Sequence, residues 1–84
     1  MLDGIEALIA LEKYGTVSEA AIRLRLTQSA VSKRIQALQL ELKLNLIEPD
    51  GRRVRLTSEG YHFLNKARPL IIELNNLTLS SEKT

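Results

Sequence analysis

A chain of 84 residues without cysteine suits one small domain with a modest core, and the missing thiols exclude disulfides, thiolate catalysis and cysteine-based zinc sites together. No apolar run approaches the roughly 18 residues of a membrane span, and the acidic start (Asp3, Glu6, Glu12) is unlike a secretory leader, so the chain reads as a soluble intracellular domain with no membrane partner. Net charge is only +2, but between Lys13 and Arg68 eleven basic residues stand against five acidic ones, which points one surface at a polyanion.

The first predicted element runs from Leu2 to Tyr14. Ile5, Leu8, Ile9 and Glu12 recur at helical spacing with Leu11 beside them, and Gly15 follows as a residue able to end the helix in a left-handed conformation. Its acids lie early and Lys13 lies late, in accord with the helix dipole. Nothing here carries chemistry, so the helix reads as scaffold.

Thr16-Val17-Ser18-Glu19 fits a capping box, with Thr16 as the cap and Glu19 reaching back. The short helix it opens carries the small pair Ala20-Ala21, suited to a close helix crossing. A turn of about three residues, Arg25 to Thr27, then leads into a second helix capped by Thr27. There Val31, Ile35, Leu38 and Leu42 share one face. The opposite side carries Ser29, Ser32, Lys33 and Gln36, flanked by Gln28 and Arg34, with no acid before Glu41. A face turned only to water ordinarily mixes Glu with Lys. Amide, hydroxyl and cationic donors without acids suit an anion with readable edges, so the pair reads as a helix-turn-helix whose second helix recognises DNA. An ordinary helical hairpin is the alternative.

After Leu42 the period changes. Leu44 to Glu48 alternates in part, Pro49-Asp50-Gly51 signals a turn, and Arg52 to Leu56 alternates again, with Val54 and Leu56 on one side and Arg53 and Arg55 on the other. This predicts a two-stranded wing that leans on the helices, with Arg52 and Arg53 placed to enter a minor groove or grip phosphates. The alternative for the arginine run is a solvated edge protected from aggregation.

Thr57 caps the last helix, with Glu59 in its first turn. Leu64, Ala67, Ile71 and Leu74 form one apolar stripe; Phe63, Leu70 and Leu77 form its neighbour. Together they predict self-association at coiled-coil-like spacing, while Tyr61, Phe63 and Leu64 are also placed to complete the domain core. Pro69 forfeits the bond to the Asn65 carbonyl and predicts a kink. The expected division is a winged domain over 1–57, a linker or dimerisation helix over 58–80 and a frayed tail over 81–84.

Four blocks then resemble the amino-terminal DNA-binding domain of LysR-type transcriptional regulators: Gly15-Thr-Val-Ser-Glu-Ala-Ala-Ile-Arg-Leu, Thr27-Gln-Ser-Ala-Val-Ser-Lys-Arg-Ile-Gln-Ala-Leu, Leu42-Lys-Leu-Asn-Leu-Ile and Gly51-Arg-Arg-Val-Arg-Leu-Thr-Ser-Glu-Gly. The resemblance spans Leu2 to about Leu77. It implies a mainly α fold, a winged helix-turn-helix of three helices plus a two-stranded β-wing, followed by a long linker helix. It also implies a bacterial transcription factor that binds dyad-symmetric double-stranded promoter DNA as a homodimer in the cytoplasm. By position, base reading falls on Gln28, Ser29, Ser32 and Lys33. Backbone or minor-groove contacts fall on Thr27, Arg34, Gln36 and the wing arginine, Arg52 or Arg53. Dimerisation falls on Leu64, Ala67, Ile71 and Leu74. No cofactor or metal is expected. The family's effector-binding domain would follow this chain, so an excised domain is expected.

The chain departs from the family at several positions. Ser29 stands where proline is frequent, and Lys33 stands where arginine is common, which turns a bidentate guanine contact into a single-point one. Lys43 replaces a glycine, Ile47 a phenylalanine and Pro49 an arginine. Two other functions compete with DNA binding. A protein-interaction module would make the basic face incidental. An enzyme would rest on His62 alone, without a carboxylate pair, a phosphate loop or a nucleophile constellation, and is not expected. Within DNA binding, another winged-helix regulator such as the molybdate-responsive type is the second choice.

Overall fold

The computed structural model describes the backbone of residues 1–83 and the side chains of residues 1–77. Four helices and one hairpin follow in order: α1 (Leu2–Tyr14), α2 (Val17–Leu24), α3 (Gln28–Leu42), β1 (Ile47–Asp50), β2 (Arg53–Leu56) and α4 (Ser58–Lys83). The fold is mainly helical with a winged helix-turn-helix arrangement, as the residue pattern predicts.

Local chemistry sets most boundaries. Gly15 ends α1 at φ 88°, a left-handed conformation that costs glycine nothing, and its N–H donates to the Leu11 carbonyl. Thr16 caps α2 by accepting from the Glu19 N–H at 3.0 Å. The reciprocal half of the predicted capping box is not formed: the Glu19 carboxylate is drawn along the helix to Arg23, 3.5 Å away. Thr27 caps α3 by accepting from the Ala30 N–H at 3.0 Å. Two non-glycine residues, Arg25 (φ 57°) and Lys43 (φ 56°), take the left-handed conformation that closes α2 and α3.

The core lies where α1, α2 and α3 cross and where α4 and the wing cover them. Leu8, Val31, Ile35, Leu38, Leu46 and Leu64 are its largest fully enclosed side chains. Close crossing is built in by small residues. A Cβ on Gly4 would fall 2.7 Å from the Leu38 Cβ and 2.8 Å from the Arg34 carbonyl oxygen, so α1 and α3 touch backbone to side chain there. Ala20 and Ala21 are buried on α2, as their size predicts.

The wing pairs antiparallel with Ile47 opposite Leu56, Glu48 opposite Arg55, Pro49 opposite Val54 and Asp50 opposite Arg53. Its turn therefore falls at Gly51-Arg52, later than the Pro49-Asp50-Gly51 signal suggests, and Pro49 belongs to β1. A two-stranded ribbon is all edge, which is the sheet setting that tolerates proline, and Gly51 at φ 64° supplies the positive angle at the first loop position. The strand also begins only at Ile47, because residues 44–46 form no strand pairing and the N–H groups of Leu44 and Leu46 are bound by Gln39 instead.

In α4, Thr57 caps the first turn by accepting from the Gly60 N–H at 3.0 Å. Leu64 and Ala67, expected on a dimer stripe, are buried in the core of their own domain, where Phe63 and Ile71 also pack. The early turns of α4 cross α1 and β2, and that crossing covers them. Tyr61, expected in the core, is instead 49% exposed. Arg68 of α4 contacts Glu12 of α1, and Ile71, three residues further on, still packs against the domain. Helical structure then continues through Pro69 to Lys83, and the long axis of the molecule reaches 48 Å. The helix includes most of the predicted 81–84 tail; Thr84 lies outside the described residues.

Candidate nucleic-acid interface

Because Val31, Ile35 and Leu38 fix one side of α3 in the core, the 100° advance per residue settles where every other side chain goes. Ser29, Lys33, Gln36 and Leu40 line the outward stripe, and all four are exposed, whereas Ser32, on the flank, is half-buried. Gln28 and Ser32 lie on the flank nearest the wing. Arg34 lies on the opposite flank, half-buried beside α1, with Nη1 at 3.8 Å from Asp3 Oδ1. Of the residues predicted to read bases, Ser29 and Lys33 point furthest outward, and Gln28 and Ser32 look toward the wing. Gln36 shares the outward stripe, which the backbone role predicted for it does not require.

The wing brings its arginines to the same side. Thr16, Val17 and Ser18 at the start of α2, Gln28 at the start of α3, and Arg52, Arg53 and Val54 of the wing line one open groove of about 280 Å³. Thr27, the α3 cap, is exposed next to Gln28. Residues from positions 16–54 of the chain thus line one donor-rich groove, with backbone N–H groups of two helix starts nearby.

Charge sorts the wing further. Arg55 is engaged by Glu48, with Nη2 at 3.1 Å and Nε at 3.4 Å from the same carboxylate oxygen. That hydrogen bond, the Glu48 charge and then the Asp50 charge hold the Arg55 guanidinium above its ordinary pKa. A group already fully charged stays so: a raised folded pKa adds stability that is present throughout the neutral range and is lost only at extreme alkalinity. Among the described residues, Lys33, Arg52 and Arg53 make no ion pair. The two arginines predicted for DNA are therefore the uncommitted ones, and the third is neutralised at home.

Sequence reasoning missed one element of this surface. Gln39, on the wing flank of α3, accepts from the backbone N–H of Leu46 at 2.8 Å and of Ile47 at 3.2 Å through Oε1. Its neighbours in space are seven and eight positions away and meet it only because Lys43 turns the chain back. Among the described residues, no three His, Asp or Glu side chains are grouped to hold a metal ion, and no helix is long and apolar enough to cross a membrane. His62 is exposed on α4, far from this surface in the fold order.

Comparison with known proteins agrees with this architecture. Residues 2–61 match the family described as bacterial regulatory helix-turn-helix protein, lysR family. An HTH-type transcriptional regulator of Vibrio cholerae is 38% identical over 82 residues, covering 98% of this chain and 29% of its own length. One from Azotobacter vinelandii, from the ibpB-leuC intergenic region, is 44% identical over 75 residues, covering 89% of this chain and 52% of its own. The chain thus spans about half the length of these relatives or less. Among solved structures, the CbnR DNA-binding domain in complex with DNA superposes with a TM-score of 0.84 at 30% identity, over 99% of this chain and 94% of that one. The BenM DNA-binding domain on catB site 1 DNA superposes at 0.89 with 26% identity, over 99% and 93%. These relatives are transcriptional regulators rather than enzymes. The chain belongs to the lysR family of bacterial regulatory helix-turn-helix proteins, of which it carries the winged helix-turn-helix domain and the helix that follows it.

Proposed function

We propose that this chain is the sequence-specific DNA-binding part of a bacterial transcriptional regulator, acting on double-stranded DNA in the cytoplasm. The observation that carries the reading is the groove that Gln28, at the start of α3, shares with the unpaired wing arginines Arg52 and Arg53, in a family whose solved relatives include complexes with DNA. In this reading α3 enters the major groove. Gln28, Ser29, Ser32 and Lys33 meet base edges, and Thr27, Gln36 and Arg34 meet the flanking backbone. The contact of Arg34 requires it to leave Asp3, an exposed pair at 3.8 Å that costs little to open. Arg52 and Arg53 lie on phosphates or in the adjacent minor groove.

The same proposal makes the domain dimeric. Residues 1–57 form the DNA-binding unit and residues 58–80 the linker helix. With Leu64 and Ala67 used by the core, the pairing stripe shifts along α4 to Leu70, Leu74 and Leu77, joined by Ile71. Leu70 is 66% exposed and Leu77 65%, and these two stand one heptad apart, as a coiled-coil seam requires. Two recognition helices then reach successive major grooves about 34 Å apart. Selection from a library of random duplexes tests the whole reading. Enrichment of dyad-symmetric sites with half-sites about one turn apart is the expected result. Enrichment of a lone half-site overturns the dimer, and no enrichment overturns sequence-specific binding.

A further inference from the structure

The residues joining the recognition helix to the wing are held by one side chain and one main-chain oxygen of the same residue. The Gln39 carbonyl accepts from the Lys43 N–H, which closes α3, and from the Leu44 N–H at 3.2 Å. Its side-chain Oε1 then accepts from Leu46 at 2.8 Å and from Ile47, the first residue of β1, at 3.2 Å. On the far side of the wing base, the Thr57 N–H donates to the Leu46 carbonyl at 3.0 Å and the Thr57 hydroxyl donates to the Asn45 carbonyl at 2.5 Å. Leu46 has no exposed surface and is bound at both its N–H and its carbonyl. The wing base is thus tied to α3 through Gln39 and to α4 through Thr57.

We infer that Gln39 is a positioning residue for DNA binding: its side-chain oxygen sets the angle of the wing against α3, and so sets where Arg52 and Arg53 meet the DNA. The inference rests on the wing contacts proposed above. Its physical basis is leverage. The four-residue strands carry the turn about 13 Å from the base, so a swing of about 10° there moves the arginines by about 2 Å. A hydrogen bond to phosphate holds over only a few tenths of an ångström. Of the wing's own apolar side chains only Leu56 is buried, with Ile47 and Val54 partly covered, so packing holds the ribbon's angle less firmly than it holds α3, whereas two N–H groups converging on one oxygen are directional. Gln28 and Ser32 occupy the same flank of α3 at helical spacing from Gln39, so the flank that holds the wing base also faces the wing tip. The role requires an acceptor and nothing else: a glutamate can replace the amide, and a methionine of the same length cannot.

The test uses the 84-residue chain, a mixed-sequence duplex at low salt, and a double-mutant cycle. Gln39→Met weakens binding about fivefold, Gln39→Glu restores most of it, and Arg53→Ala adds nothing further in the Gln39→Met background. Circular dichroism at the assay temperature checks that each variant is folded, so a plain loss of stability does not imitate the result. Effects of Gln39→Met and Arg53→Ala that multiply in full overturn the inference. If Arg53→Ala alone leaves affinity unchanged, it is the wing-contact reading that fails. Residual dipolar couplings of the Arg53–Leu56 N–H groups then decide the inference by themselves: a reorientation relative to α3 in Gln39→Met sustains it, and unchanged couplings overturn it.

Discussion

The start of α3 and the wing line one groove, but the two elements are held there by different physics. Three side chains of α3 have at most 1% of their area exposed, and a helix anchored at Val31, Ile35 and Leu38 can neither rotate nor slide without opening the core. The wing buries Leu56, 6% exposed, at its base, packs Ile47 and Val54 partly against the core, and is tied further by hydrogen bonds to Gln39 and Thr57. In the proposed reading, packing fixes a reading head whose contacts would keep register with base pairs. Hydrogen bonds at its base would suffice for a ribbon proposed to carry charge to phosphates. The proposed division of labour in binding follows the division in structure: α3 presents hydroxyls, amides and one lysine, whereas the wing presents uncommitted guanidinium groups.

The largest effect expected from breaking this contrast is in the core. Ile35→Ala removes a side chain with no exposed area and should cost about 2–5 kcal/mol. A domain of this size is stable by roughly 4–12 kcal/mol, so denaturant titration should show much of the margin gone and binding lost with it. Gly60→Ala comes next. Its Cβ would fall 2.3 Å from the Leu46 carbonyl oxygen, a backbone atom that is itself bound to Thr57, and the forced shift should cost about 1–3 kcal/mol by the same titration. This glycine is required by close approach rather than by an unusual backbone angle. The smallest effect runs in the other direction. Lys43→Gly relieves a left-handed lysine and should raise stability by about 0.5–1 kcal/mol, seen as a melting temperature a few degrees higher.

What was legible in the sequence was what is local. Thr16, Thr27 and Thr57 act as caps because the donors they satisfy lie three residues on, and helix spacing placed Val31, Ile35 and Leu38 inward. Two features were not legible, each for a tertiary reason. The turn of the wing was ambiguous because Pro49, Asp50 and Gly51 are all turn formers, and only the pairing of Ile47 with Leu56 decides which of them bends. The apolar stripes of α4 were visible, but how much of them the domain itself consumes depends on where α4 crosses α1 and β2, and that crossing claims Leu64 and Ala67. Gln39 was hidden for a related reason. A polar residue on a helix flank looks like any solvated position until the chain beyond Lys43 folds back onto it. Among the site residues, Lys33, Arg52 and Arg53 were legible as charge, yet the neutralisation of Arg55 by Glu48 required the register of the hairpin.

The contrast between reading head and charged ribbon is tested most directly by one salt series. Binding of the wild type, Lys33→Ala and Arg53→Ala is measured on a duplex selected from a random library and on its scrambled counterpart. Lys33→Ala should lose about 1 kcal/mol of discrimination between the two duplexes, the low end of the range for a base contact, because the contact proposed for it is a single point on a base edge. Arg53→Ala should weaken both duplexes alike and make the dependence of affinity on salt shallower by about one counterion. Equal losses of discrimination in the two variants, or an unchanged salt slope in Arg53→Ala, would contradict the account.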